Sequence, residues 1–214
     1  MGNAAGMPRR TSGDFTVRAA IVDYGAGNLY SLARAVTATG AQSVVTSDIA
    51  VALECEALLL PGVGAFGSAT KFLEPHMPRI RAALTEGLPC LAICLGMQLL
   101  FESSEEGQGH GIGALAGRVR RINAQRVPQI GWNDLDDVID PAISTSGLAT
   151  AYFANSFVCE PTDKSIVTAW ATHESDRFAA AVRSANIVGV QFHPEKSSVA
   201  GLSFVGSFLS SIRS

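Results

Sequence analysis

Three side chains in this sequence have the types needed for nucleophilic acyl chemistry: the thiol of Cys94, the imidazole of His193 and the carboxylate of Glu195. Cys94 closes an apolar run, Leu88-Pro89-Cys90-Leu91-Ala92-Ile93. Gly96 and a helix-like run, Met97-Gln98-Leu99-Leu100-Phe101-Glu102, come after it. That order predicts a strand, a sharp turn and a helix with the thiol at the turn, the sulfur counterpart of a nucleophile elbow. A cysteine so placed faces the positive end of a helix, which favours thiolate over thiol. His193 and Glu195 end a second apolar run, Ile187-Val188-Gly189-Val190-Gln191-Phe192. In extended chain, positions i and i+2 point the same way. Glu195 can therefore orient the His193 ring while His193 takes the Cys94 proton. Nucleophile, base and orienter are the general constellation for covalent acyl transfer.

Each element has a plainer reading when taken alone. Cysteine is among the most buried residue types. Cys90, on the same run but without the turn, reads as a packed thiol. A His-Pro-Glu sequence after a strand is commonly an ordinary loop. The joint occurrence, in this order and setting, is what points to catalysis.

The elements that must position these groups alternate in type. Residues 16–22 predict a buried first strand, and Asn28 caps a helix running to about Thr39 with Gly40 as its stop. Strands over 43–46 and 57–60 follow, then a helix over 72–86 ended by Gly87, then the Cys94 strand, turn and helix. This alternation predicts an α/β fold, a single domain over 16–214 with a mostly parallel twisted sheet and helices on both faces. In the second half, residues 118–122, 151–154, 166–170 and 178–182 read as short antiparallel additions, and 199–212 as an amphipathic closing helix. Ligands in such sheets sit at the carboxyl ends of the strands. Gly25, the loop 61–64, Cys94 and His193 all fall at such ends, which predicts one shared site.

Composition narrows the function classes. The chain has 214 residues, of which 47% are apolar and 16% charged, with a net charge of −3. That balance argues against a nucleic-acid binder, which shows a basic face. No apolar run reaches the ~18 residues that span a bilayer. The four cysteines, Cys55, Cys90, Cys94 and Cys159, form no CxxC pair and no zinc-finger spacing. They suit reduced thiols in a cytoplasmic protein. Residues 1–15 are small and polar, lack the apolar core of a signal peptide, and read as a flexible extension. His76, His110 and His173 read as members of polar loops without ligand spacing, so no metal and no cofactor is expected. Arg118, Arg120 and Arg121 suggest a solvated or partner-facing edge rather than a phosphate site.

Two glycine loops stay open to more than one reading. Asp23-Tyr24-Gly25-Ala26-Gly27-Asn28 is either a tight strand-to-helix turn or a nucleotide-binding loop that lacks its third glycine. Pro61-Gly62-Val63-Gly64 is either a tight turn or a place where backbone N–H groups approach a tetrahedral oxyanion, with the Leu95 N–H as a second donor.

Five blocks occur in order: Asp23-Tyr24-Gly25-Ala26-Gly27-Asn28-Leu29, Pro61-Gly62-Val63-Gly64-Ala65-Phe66, Ile93-Cys94-Leu95-Gly96-Met97-Gln98, Gly131-Trp132-Asn133 and Gln191-Phe192-His193-Pro194-Glu195-Lys196-Ser197. Together they resemble the glutaminase subunits of imidazole glycerol phosphate synthase, which are class I, triad-type glutamine amidotransferases with a flavodoxin-like sheet. The resemblance implies that Cys94 attacks the side-chain amide of L-glutamine, that His193 protonates the leaving ammonia, and that Glu195 orients His193. It implies that Gly62, Val63 and Gly64 form the oxyanion strand, which needs a peptide flip to become competent. Gln98 and the segment with Asn155, Ser156 and Phe157 would hold glutamine. Ammonia would pass to a (β/α)8 barrel cyclase in histidine biosynthesis, with Asn28, Trp132 and Lys196 facing that partner in a heterodimer.

The sequence departs from the family pattern at four places. Ala92 stands where glycine is usual and adds a methyl beside the elbow; Gln129-Ile130 replaces a common His-Met; Asn155 replaces a common His; Phe157 replaces a common Tyr. The departures at Gln129 and Asn155 leave room for a related glutaminase that supplies a different acceptor, as in amidino-sugar synthesis. A non-catalytic scaffold is opposed by the intact Cys94, His193 and Glu195. An α/β-hydrolase is opposed by chain order, since its acid precedes its histidine.

Overall fold

A computed structural model describes residues 16–25 and 29–212. The predicted extension 1–15, and Asn28 both as cap and as partner-facing residue, lie outside the described residues. The elements, in chain order, are β1 (Arg18–Val22), α1 (Leu29–Ala38), β2 (Gln42–Thr46), α2 (Ile49–Leu53), β3 (Ala57–Leu60), α3 (Phe66–Leu73), α4 (Met77–Thr85), β4 (Cys90–Ile93) and α5 (Leu95–Leu99). They continue with β5 (Ser103–Ser104), β6 (Gly117–Arg121), β7 (Gln129–Asp134), α6 (Pro141–Ser146), β8 (Thr150–Asn155), β9 (Phe157–Pro161), β10 (Val167–His173), β11 (Asp176–Ser184), β12 (Ile187–Val190) and α7 (Ser198–Ser210).

Seven strands form the main sheet in the order β10-β11-β12-β4-β3-β1-β2. From β12 to β2 all pairings are parallel, while β10–β11 and β11–β12 are antiparallel. Strands β1, β3, β4 and β12 are buried along nearly their whole length. This is why they read as continuous apolar runs rather than alternating ones. One face of the sheet is covered by α1 and α7, which bury Leu32, Val36, Phe204, Val205 and Phe208 at helical spacing. The other is covered by α2 to α5, with Ile49, Phe66, Leu73, Ile80, Met97 and Leu99 in one cluster. A helix on each face is the doubly wound arrangement the alternation predicts.

The second half adds two small sheets. Strands β5, β6 and β9 form one, and β7 pairs antiparallel with β8 to form a ribbon. The chain passes from the ribbon to the other small sheet through Ser156, whose carbonyl accepts from the Ile122 N–H at 2.9 Å. Two ion pairs fasten these additions. Arg120 grips Asp176 with two bonds of 2.6 and 2.7 Å, joining β6 to β11. Arg183 on β11 grips the fully buried Asp140, which also caps α6. Removing one partner of such a buried pair costs about 3–5 kcal/mol, because the other charge is left uncompensated.

Several expectations are corrected. The helix expected over 72–86 is two helices, α3 and α4, separated by a 3-10 turn over Glu74–His76. Pro75 and Pro78 lack the N–H that a continuous helix would use. The α3 start at Phe66 is hidden by Gly67, Ser68 and Lys71 between its buried positions. The helix after Cys94 is only Leu95–Leu99, so Glu102 lies outside it. His173 ends a strand, and its Nε2 meets the Arg126 carbonyl at 2.7 Å. His76 lies in the 3-10 turn. Helices α2 and α6 and strands β7 and β9 carry no clear sequence pattern. Gln129-Ile130-Gly131-Trp132-Asn133-Asp134 becomes a strand because β8 pairs with it.

Candidate active site

The backbone at the Cys94 elbow departs from the ordinary regions. Cys94 has φ 47° and ψ −105°, a strained conformation for a residue with a Cβ, costing of order 1–3 kcal/mol. It is held from both sides. The Cys94 N–H donates to the Val190 carbonyl at 2.7 Å, and the Gln98 N–H donates to the Cys94 carbonyl at 3.1 Å. The turn brings α5 so close to β3 that a Cβ on Gly96 would lie 2.0 Å from the Leu60 carbonyl oxygen. Only glycine fits there. Gly62 is similarly confined: a Cβ would lie 2.7 Å from the Ile93 oxygen, 2.9 Å from Cys94 Cβ and 3.1 Å from His193 Cε1. The backbone of the loop 61–64 therefore lies against both nucleophile and base, where an oxyanion donor has to be. Tyr24, buried, donates its hydroxyl to the Pro61 carbonyl and anchors the start of that loop.

Ala92 does not crowd the thiol. Its methyl belongs to the cluster with Leu58, Leu60 and Met97, while Cys94 joins the cluster on the opposite sheet face.

His193 is 1% exposed, and its Nδ1 lies 2.9 Å from Glu195 Oε1. The Cys94 sulfur faces the same ring and favours its protonated form. Burial opposes the charged ring, but the nearby Cys94 sulfur and the bonded Glu195 carboxylate outweigh it and raise His193 from 6.5 to about 9. At neutral pH the ring is an imidazolium facing sulfur, the acid a leaving amine needs. Cys90, on the same strand, is fully buried, and burial pushes its thiol up to about 12. The backbone fastens the base to the ribbon. The His193 N–H donates to the Tyr152 carbonyl at 2.8 Å, the Tyr152 N–H to Ser197 Oγ at 2.9 Å, and Ser197 Oγ to the His193 carbonyl at 2.7 Å.

These groups open on a cavity of about 310 Å3 lined by Gly62, Val63, Gly64, Cys94, Leu95, Gln98, Asn155, Ser156, Phe157, His193 and Lys196. Every residue expected at the oxyanion and substrate positions thus lines one pocket. Its volume is at the small end for ligand sites and suits an amino acid. A more open groove of about 1020 Å3 between α1, α6 and α7 is lined by no Cys, His, Asp or Glu, and its Arg183 is occupied by Asp140.

Glu106 also lines the pocket, and burial raises its carboxyl, partly offset by a backbone hydrogen bond from Phe66. Sequence reasoning misses it because Glu105 and Glu106 look alike in one polar run; Glu105 instead accepts from the Arg121 N–H. Gln191 is the other omission. It is fully buried, and its Nε2 lies 3.4 Å from Cys94 Sγ. A lone amide inside the apolar run 187–192 was a legible signal.

The outer face of the ribbon carries the partner-facing candidates. Trp132 is 56% exposed and meets Tyr152 edge-on at 6.2 Å, and Lys196 Nζ sits 5.7 Å over the Tyr152 ring. On its inner face Gln129 and Asn155 are directly opposite each other. Both are buried, and Gln129 Oε1 and Asn155 Oδ1 have no hydrogen-bond partner. Arg118 and Arg120 are paired with Glu160 and Asp176. Among the described residues no group of three or more His, Cys, Asp or Glu is placed to hold a metal, and no helix is long and apolar enough to cross a membrane.

Comparisons with known proteins agree with this geometry. Residues 20–207 match the class-I glutamine amidotransferase family. The imidazole glycerol phosphate synthase subunit HisH of Cyanothece sp. is 40% identical over 208 residues, covering 91% of this chain and 96% of that one. The subunit HisH of Methanothermobacter thermautotrophicus is 42% identical over 197 residues, covering 91% and 98%. In fold, the chain matches a structure of PurLQS from Thermotoga maritima with TM-score 0.72 and 20% identity, covering 92% and 99%. A structure described as a glutamine amidotransferase matches with TM-score 0.68 and 18% identity, covering 88% and 98%. The chain belongs to the class-I glutamine amidotransferases and, among them, to the HisH-type subunits of imidazole glycerol phosphate synthase.

Proposed function

We propose that this chain hydrolyses L-glutamine at Cys94 and hands the ammonia to a (β/α)8 barrel cyclase in the cytoplasm. The observation that supports it most is the meeting of Cys94, the Glu195-oriented His193 and the Gly62 backbone at one amino-acid-sized pocket. Sγ attacks the carboxamide carbon, and the electron pair of the C=O bond moves to oxygen, next to the N–H groups of the loop 61–64 and of Leu95. Collapse of that intermediate breaks the C–N bond as the His193 imidazolium gives its proton to nitrogen. Ammonia leaves and a glutamyl thioester remains. Neutral His193 then takes a proton from water, which attacks the thioester carbon; the C–S bond breaks, releasing glutamate and restoring the Cys94 thiolate beside the protonated ring. Gln98 and the wall 155–157 hold the substrate, and Glu106 faces its α-ammonium. No cofactor takes part.

The partner docks on the exposed face formed by Ile130, Trp132, Tyr152 and Lys196. Backbone bonds from Tyr152 reach His193, so contact on that face is one peptide away from the base. Glutamate release should be measured for the chain alone, with the barrel cyclase, and with cyclase plus its nucleotide ligand. Strong stimulation in the last mixture, lost in Cys94→Ala, is expected. Activity indifferent to the cyclase would assign the ammonia to a different acceptor and overturn the cyclase partnership.

A further inference from the structure

One buried side chain at the site has no part in the triad. Strand β12 runs parallel to β4 with Val190 opposite Ile93. One residue further along both strands, Gln191 comes beside Cys94. Its side chain is fully buried in a position where the neighbouring strand residues are Val190 and Phe192, both 0% exposed. A buried amide costs free energy unless it is paired, so the partners of Gln191 explain why it is there.

Those partners form a chain with a fixed polarity. The Phe157 carbonyl oxygen can only accept, so Gln98 must present its amide nitrogen there, at 3.1 Å. The second hydrogen of that nitrogen points to Gln191 Oε1 at 3.4 Å. With its oxygen committed to Gln98, Gln191 turns its own Nε2 toward Cys94 Sγ, at 3.4 Å. A backbone carbonyl on the pocket wall thus dictates that an N–H, not a lone pair, faces the sulfur. Asn155 Nδ2 also donates to the same Phe157 oxygen at 3.1 Å, which holds that carbonyl in place.

We propose that Gln191 is a fourth catalytic residue of this site: its Nε2–H donates to the Cys94 sulfur, favouring the thiolate and its return as leaving group from the thioester, while its Oε1 orients Gln98. Gln191 donates to the sulfur while the His193 ring faces it, so the thiolate is held at the pocket rather than free to swing. The inference rests on Cys94 being the nucleophile of the glutaminase reaction.

Two variants separate the two halves of Gln191. Gln191→Glu keeps an oxygen for Gln98 but puts an acceptor against sulfur. Gln191→Met keeps volume and removes both bonds, and a buried amide replaced by an apolar side chain of similar shape preserves folding. The primary measurement is the pH profile of iodoacetamide alkylation at Cys94 in the full chain, read by peptide mass spectrometry, with Cys94→Ser as control. The buried Cys55, Cys90 and Cys159 serve as internal references. It needs neither glutamine nor a partner, so it remains readable if the glutaminase reading fails. Both variants should move the midpoint to higher pH, with alkylation at pH 7 slowed about tenfold, the loss expected for one hydrogen bond to a charged group. With cyclase present, Gln191→Glu should lower kcat at least tenfold with little change in KM for glutamine, and Gln191→Met should also raise KM. An unmoved midpoint in both variants would overturn the proposal, even if activity fell, because misplacement alone scales the profile without shifting it.

Discussion

The pocket has two walls built in different ways. One is the carboxyl edge of the parallel sheet, where β3, β4 and β12 deliver the loop 61–64, Cys94 and His193. The other is the ribbon β7–β8 and the corner at Ser156, which deliver Asn155, Ser156 and Phe157. On the sheet edge the reacting groups have partners: sulfur with Gln191 and His193, the ring with Glu195 and, through its backbone, with Tyr152. Among the described residues there, the buried side-chain oxygen Glu195 Oε2 has no partner. On the ribbon two buried amide oxygens, Gln129 Oε1 and Asn155 Oδ1, are unpaired, and the outer face leaves Ile130 and Trp132 in solvent. Groups that break bonds are placed by sheet register, which is rigid. Asn155 and the outward-facing Trp132 are placed instead by a two-stranded ribbon, which has only one ladder of strand hydrogen bonds to hold it.

Four experiments would break or sharpen that contrast. The largest effect is expected within the rigid wall. Cys94→Ala should abolish glutamate release, by more than about a thousandfold as for removal of a triad member. Cys90→Ala, at the start of the strand that leads into Cys94, should keep the activity and lose about 1 kcal/mol in chemical denaturation. If Cys90→Ala were equally dead, the strand as a whole rather than the elbow would carry the site.

Gly62→Ala should come next. Its methyl would press on Ile93, Cys94 and His193 at once, lowering kcat by roughly 10²–10³, the scale of a lost oxyanion donor. Gly131→Ala on the ribbon meets nothing within 4 Å, although its φ of 130° makes any side chain strained. It should lower the melting temperature and leave kcat within a few-fold. Steady-state kinetics with the cyclase present would compare the two.

A pH effect of intermediate size follows from His193. Its folded-state value, about 9, lies above the ordinary 6.5. The stability it contributes is therefore fully present below about 6.5 and is lost as pH rises to about 9. Wild type should exceed His193→Gln in melting temperature at pH 6, and the gap should close by pH 9 or slightly above. A gap constant across that range would mean that the ring is neutral at rest.

The smallest effects belong to the ribbon. Gln129→Met removes an unpaired buried oxygen and should be neutral or slightly stabilising by thermal unfolding, since no bond is lost. Asn155→Ala should raise KM for glutamine a few-fold with kcat nearly kept. A large kcat loss in Asn155→Ala would show that the second wall also takes part in the chemistry.

The legibility of the sequence follows the same division. The parallel strands were readable because burial on both faces makes them continuous apolar runs, and β3 was read with its observed bounds, Ala57–Leu60. Cys94 and His193 could be named because strand ends are local features; Glu195 reaches the His193 ring from a 3-10 turn over Pro194–Lys196 rather than along the extended chain that an i, i+2 spacing assumes. The α3–α4 break was missed because a helical pattern interrupted by Pro75 and Pro78 reads as one helix over its second half. Strand β7, with a glycine and three polar side chains among its six residues, has no strand signature of its own. Glu106 could not be told from Glu105 without knowing which of the two faces the pocket.

By itself the sequence determined the alternation of elements, the shared sheet edge and the identity of the reacting side chains. Each of these is encoded within a few residues, by apolar run, turn chemistry and spacing. Only the tertiary structure decided what stands beside them: Gly62 wedged between Cys94 and His193, Gln191 turned to the sulfur through Gln98 and Phe157, and Tyr152 tied to the base. Those contacts join segments far apart in the chain. They depend on strand register and on which polar atom is left to pair once burial has removed water, and neither quantity is local.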